Sequence, residues 1–172
     1  MNTQHSRHPA VLDIQQLALS DADGKSVFHI AKASACNQGM GSLVNDDHPE
    51  LSSFVEVTTT TLSEFCRIEK VSRIDFIKMD VQGAEPFVLL GGRDVLSRHK
   101  PDLMIEISPY DLGLGGWTSR DLVSLLEDLN YRCFPLLKNG RPGSAIAADS
   151  IAPDYGRENV YCASKEKISN IR

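Results

Sequence analysis

The chain has 172 residues, 41% of them hydrophobic and 24% charged, and a formal net charge of −5. That length suffices for one domain with its own core, and the scattered Lys and Arg exclude the basic stripe that a nucleic acid or an anionic membrane surface requires. No run of about 18 apolar residues offers a membrane span, and the polar start MNTQHSRHPA lacks the apolar core of a signal peptide, so a cytoplasmic protein is expected.

LDIQQLALS (12–20) is apolar at Leu12, Ile14, Leu17 and Leu19 and predicts a strand. Asp21 to Gly24 is turn chemistry, and SVFHIAK (26–32) alternates, so the two segments predict a hairpin. Residues 33–50, rich in Ser, Asn, Gly and Asp, predict a long loop of the kind that is more often functional than idle. FVEVTTTTL (54–62) is β-branched and predicts a strand. Residues 62–71 predict a short helix with Leu62, Phe65 and Cys66 facing inward. IDFIKMD (74–80) has few polar positions, as a central parallel strand does. GAEPFVLLGGRDVLSRHK (83–100) predicts a helix with Pro86 in its first turn, where a missing N–H costs nothing. Gly91 and Gly92 each weaken a helix interior by about 1 kcal/mol, which predicts a break or a close approach there.

PDLMIEIS (101–108) is the next predicted strand. In RDLVSLLEDLN (120–130), Leu122, Leu125, Leu126 and Leu129 fall on one helical face. Thr118 with Asp121 suits a capping box, and Asn130 suits a C-terminal cap. YRCFPLL (131–137) carries Pro135, which cannot donate to a ladder and so predicts an edge strand. ENVYCAS (158–164) is the last predicted strand. The order from residue 74 predicts a mostly parallel sheet wrapped by helices, with an antiparallel last strand. Within it, 74–80 and 102–108 should be parallel neighbours, and 158–164 should lie between 102–108 and 131–137.

Open α/β sheets bind ligands at the carboxyl ends of their strands. Two strands end in acids here, one at Asp80 and one at Glu106. As neighbours, the two carboxylates could orient a hydroxyl, accept its proton or hold a cation. The competing reading makes Asp80 a cap for the next helix and pairs Glu106 with a nearby Lys or Arg. Lys78 reads as a structural ion-pair partner, and Glu85 as a first-turn acid that complements the helix dipole. GMGS (39–42) and GLGGWT (113–118) each hold G-x-G without completing a dinucleotide fingerprint, and the second reads as a lid or substrate loop. The histidines and the four cysteines are not spaced like metal ligands, so no metal is expected.

IDFIKMDVQGAEPFVLLGG followed by HKPDLMIEI resembles the FkbM family of S-adenosylmethionine (SAM)-dependent methyltransferases, which read hDhhKhDhEGaE with h apolar. LALSDADGKSVFHI, GMGSLV and VTTTTLSEF resemble the family's flanking segments. The resemblance implies a Rossmann-like methyltransferase sheet and one partial domain over 1–172, with the opening strands and their glycine loop absent. It implies SAM as cofactor and methyl transfer to a hydroxyl of a small molecule or saccharide. Asp80 and Glu106 fall at the reaction centre, and Ser20 and Asp21 near the cofactor's adenine. Gln82 stands where the family usually has Glu. With the first strands missing, the sheet edge beside 74–80 would be open. The rival expectation is therefore a non-catalytic half-domain that acts through a companion chain or a second copy.

Overall fold

Seven strands and six helices make up the described residues of the computed structural model, which are 11–31, 41–44, 51–156 and 158–169. The first unit is a three-stranded sheet: β1 (Ala18–Ser20), β2 (Gly24–Ala31) and β3 (Leu51–Thr61), in the order β1-β3-β2. The predicted hairpin is not there. β1 runs parallel to one edge of β3 and β2 antiparallel to the other. The reason lies in the connection, since residues 21–23 cross the end of β3. There the Asp23 carboxylate accepts hydrogen bonds from Thr60 Oγ1 and Thr61 N. The predicted first strand is also much shorter than 12–20, because Leu12 and Ile14 are exposed and lie outside β1. Of the long loop predicted over 33–50, only residues 41–44 are among those described; Ser42 bridges to His29 there.

Thr61 caps α1 (Leu62–Ile68) by accepting from Glu64 N. The chain then enters the second unit at β4 (Phe76–Met79). The predicted helix over 83–100 is two helices, α2 (Glu85–Gly91) and α3 (Arg93–His99), broken at the glycine pair. A Cβ on Gly91 would sit 2.1 Å from the Ser20 carbonyl oxygen, so glycine here lets α2 touch β1. β5 (Asp102–Ile107) follows, then α4 (Pro109–Leu114). α4 takes only Gly113 and Leu114 from the predicted GLGGWT loop, whose residues 115–118 stay non-helical; Pro109 pre-sets the backbone of its first turn, and Gly115 ends it. α5 (Ser119–Asp128) opens on the Thr118–Asp121 capping box, and Asn130 follows it at φ 67°, the left-handed position of a helix C-terminus. β6 (Tyr131–Pro135), β7 (Glu158–Ser164) and α6 (Lys165–Ser169) complete the chain order.

The second sheet has the order β4-β5-β7-β6. β4 and β5 are parallel, β7 is antiparallel to both β5 and β6, and β6 with Pro135 lies at the edge, as predicted. The α/β class holds, but the expectation of one mostly parallel Rossmann-like sheet is corrected: the described residues form two small mixed sheets, and three of their five ladders are antiparallel. The β6–β7 connection, which carries no packed α-helix, returns antiparallel, and no described strand joins β1 to β4.

The core belongs to the second sheet. Leu103, Ile105 and Ile107 of β5 share a buried face with Val160 and Cys162 of β7 and Tyr131 and Cys133 of β6. They pack with Val88, Leu89, Val95 and Leu96 of α2 and α3 and with Leu122, Val123 and Leu126 of α5. The alternation along β5 is strict, so Asp102, Met104 and Glu106 point to the opposite, half-buried face. No helix among the described residues is long and apolar enough to cross a membrane.

Candidate functional site

Parallel strands place paired residues side by side on one face. β4 pairs with β5 in the register Phe76↔Asp102 to Met79↔Ile105. Continuing one step puts Asp80 beside Glu106 at the carboxyl ends of the two strands. The two predicted site acids are thus brought together by the simplest element of the fold, a straight ladder of alternating residues.

Their environment couples them. Burial pushes the Asp80 carboxyl up, but a hydrogen bond with Glu106, the Lys78 charge and the Gln82 amide outweigh it and hold Asp80 below its ordinary value. Burial also raises Glu106, and its hydrogen bond to Asp80 and the Asp80 charge raise it further. Lys78 opposes that rise and Asp111 adds to it. Of the two, Asp80 therefore gives up its proton first and Glu106 last. Asp80 remains 49% exposed, so solvent and a ligand can reach it.

The helix-cap alternative for Asp80 fails on geometry. The residue before α2 is Ala84, and no side chain caps that helix. Lys78 does form the expected ion pair, with Nζ 3.4 Å from Asp80 Oδ2, and it also donates to the Met79 carbonyl at 3.0 Å. Glu85 does more than face the helix dipole. Buried to 2% exposure, it accepts from Val81 N and Gly83 N, both at 3.0 Å, and so ties down the turn that follows Asp80.

Gln82 is the residue that sequence reasoning missed. Its amide nitrogen donates to Asp80 Oδ1 at 2.8 Å and reaches Glu106 Oε2 at 3.4 Å. The departure from the family's Glu was visible in the sequence, but a two-residue offset gives no hint that the side chain spans two strands.

Beside the acids runs a trough of about 530 Å³ between the two sheets. Leu17, Ala18 and Leu19 form one wall, Ile77 to Val81 the other, and Leu62, Ala84 and Val88 the base. Lys78 and Asp80 are its charged residues. Ser20 and Asp21 do not line it. They lie in an adjoining pocket of about 210 Å³ with Ser26, Phe87 and Gly115, and Leu43 borders both spaces.

The family model for the methyltransferase FkbM domain matches residues 2–133. The chain belongs to the FkbM methyltransferase family. The chain is 28% identical over 121 residues to the 2-O-methyltransferase NoeI of Sinorhizobium fredii (strain NBRC 101917 / NGR234). That match covers 64% of this chain and 49% of NoeI, so it spans about half the length of the relative. No solved structure matches the chain.

Membership of the FkbM family implies use of SAM, and the trough can be tested against that molecule. Its apolar walls suit an adenine ring and a methylene chain, and Asp80 suits a sulfonium or ammonium charge. A ribose diol and a carboxylate need an acid and a cradle of N–H donors. Among the described residues lining the trough, no acid beyond Asp80 and no glycine-rich loop of strand-to-helix type supplies them. The lining fits one part of SAM and leaves the rest ungripped.

Proposed function

We propose that this chain carries the acceptor side of a SAM-dependent O-methyltransferase whose acceptor is a hydroxyl of a small molecule or saccharide. One observation carries the reading: Asp80 and Glu106 stand side by side at the ends of adjacent parallel strands, and Asp80 also lines an apolar trough. The relative's name, a 2-O-methyltransferase, supports an oxygen acceptor.

In this reaction class SAM supplies an electrophilic methyl group. The chain's own task is then to hold the acceptor hydroxyl in line and to take up its proton. Asp80, ionised and half exposed, is suited to accept that proton. Glu106, the acid of the pair that keeps its proton to higher pH, is suited to donate a hydrogen bond to a neighbouring acceptor oxygen while it holds it. Methyl transfer depends chiefly on alignment, so the rigidity of the strand ends matters as much as their charge. The cofactor side is assigned to Ser20 and Asp21, whose pocket adjoins the trough through Leu43.

A second reading rests on the split sheet. Among the described strands β4 pairs only with β5, and the trough leaves part of SAM without partners. On that reading the chain is a half-domain that acts through a companion. Titration calorimetry separates the two: the chain alone should bind SAM more weakly than micromolar, and micromolar binding by a monomer would remove the half-domain reading. Labelled methyl transfer should be assayed on the chain alone and on a fusion with the part of NoeI that it does not match. In whichever form is active, Asp80→Asn should cut transfer to hydroxylated acceptors by about 10²- to 10⁴-fold, with the melting temperature little changed. Unchanged turnover in that variant would sink the assignment of Asp80.

A further inference from the structure

We infer that Gln82 is a positioning residue that clamps Asp80 and Glu106 into one coupled pair. The inference rests on the acid pair of the proposed site and is independent of which hydroxyl the site receives.

The backbone around Gln82 is built to aim its side chain. Gln82 has φ 49°, a left-handed conformation that is uncommon outside glycine. Ser42, 5% exposed, enforces it from the first sheet: its Oγ donates to the Gln82 carbonyl at 2.8 Å and accepts from Val44 N at 3.0 Å. From the other side, Gly83 sits at φ 91°, where a Cβ would lie 2.2 Å from the Asp111 carbonyl oxygen. The Glu85 carboxylate holds the amides on both flanks of Gln82. Three elements thus converge on a turn whose outward product is one amide group.

That amide has two hydrogens on one nitrogen. One meets Asp80 Oδ1 at 2.8 Å, and the other is directed at Glu106 Oε2, 3.4 Å away. The reverse orientation would set the amide oxygen against the ionised Asp80. A carboxylate at this position would have no hydrogen for either acid. The charged groups facing the pair from neighbouring elements show what it would add. Lys78 on β4 is the cation, while Asp111 on α4 is already a second source of negative potential on Glu106. Glu85 on α2 is a further acid, turned toward its own loop amides. A third acid beside Asp80 and Glu106 would force the cluster to take up another proton or a cation. Gln82 removes that requirement.

The experiment is a carbon-13 NMR titration of the Asp80 and Glu106 carboxyl groups in the wild type, Gln82→Met and Gln82→Glu. In the wild type the two should titrate as coupled steps, Asp80 low and Glu106 high. In Gln82→Met, which keeps the bulk and removes the donor, the Asp80 step should rise by about half to one pH unit. In Gln82→Glu the Glu106 step should rise by about one unit or more. A role limited to holding the turn would leave both steps where they are in Gln82→Met, and that result overturns the inference. If Gln82→Met does not fold, the isosteric Gln82→Glu decides: an unmoved Glu106 step overturns the inference, and an upward shift supports it. Independent, uncoupled steps in the wild type would remove the acid pair itself, and with it the proposed site. Coupled wild-type steps that ignore both substitutions would remove only the role of Gln82.

Discussion

Glu85 shows how one side chain can shape a site without touching a ligand. It sits at the start of α2, buried, and its two oxygens accept from Val81 N and Gly83 N. Burial nevertheless leaves its carboxyl above the ordinary value of 4.5, with the backbone N–H groups opposing and Asp111 adding to the rise. For an acid whose folded value is raised, the stabilising contribution is complete below the unfolded value and is lost as pH climbs through the folded one. Glu85→Ala strands two buried donors and should cost on the order of 2–3 kcal/mol. That loss should be largest near pH 4.5 and shrink toward pH 8, as read from urea unfolding at the two values. A loss that grows with pH would contradict the sign of the shift. The sequence made Glu85 visible as a first-turn acid, and Asp80 and Glu106 as strand-end acids. It could not show that Glu85 turns back to the loop, because that depends on the left-handed Gln82 and on Gly83, whose conformations are set by contacts from β2's partner Ser42 and from α4.

Elements with strong local signals were the readable ones. The α5 capping box, the Pro135 edge strand and the β4-β5-β7-β6 order all follow from chemistry contained within a few residues or from short connections. The β1–β2 hairpin failed because both strands found a better partner in β3, which lies some thirty residues away and offers an edge to each. α4 was missed because Gly113 hides a short helix that Pro109 starts and the close approach of Gly83 supports. The glycine pair was read as a break or a contact, and it is both. α2 ends there, and Gly91 rests against the Ser20 carbonyl. Gly91→Ala should push α2 off β1 and cost about 2–3 kcal/mol, measured as a lower urea midpoint. A midpoint unchanged from wild type would mean that the two units do not depend on this contact.

At the scale of the whole molecule, the open strand is the feature that matters. β4 has a partner on one side only among the described strands, and Phe76 on it is 50% exposed. An apolar edge with unpaired backbone groups is a template for a further strand. If it is the docking edge for a companion or a second copy, Phe76→Lys should weaken concentration-dependent association in sedimentation velocity without lowering the melting temperature. Identical sedimentation of both proteins across a concentration series would exclude that edge. Family membership and the paired strand-end acids were legible in the sequence. The gap between two sheets was not, since periodicity marks strands and says nothing of which edges meet.

The uneven placing of the core has a kinetic consequence. Nearly every fully buried side chain belongs to the second sheet and its helices, while Val27, Phe54 and Val55 of the first sheet are exposed. Opening the described part of the first sheet uncovers little apolar surface, so it is expected to open at a lower free energy than the second. Amide hydrogen exchange should then be faster in the first sheet than in the second. Ser42, which fixes Gln82, belongs to the first. The geometry of the acid pair is then only as persistent as the sheet expected to open more readily.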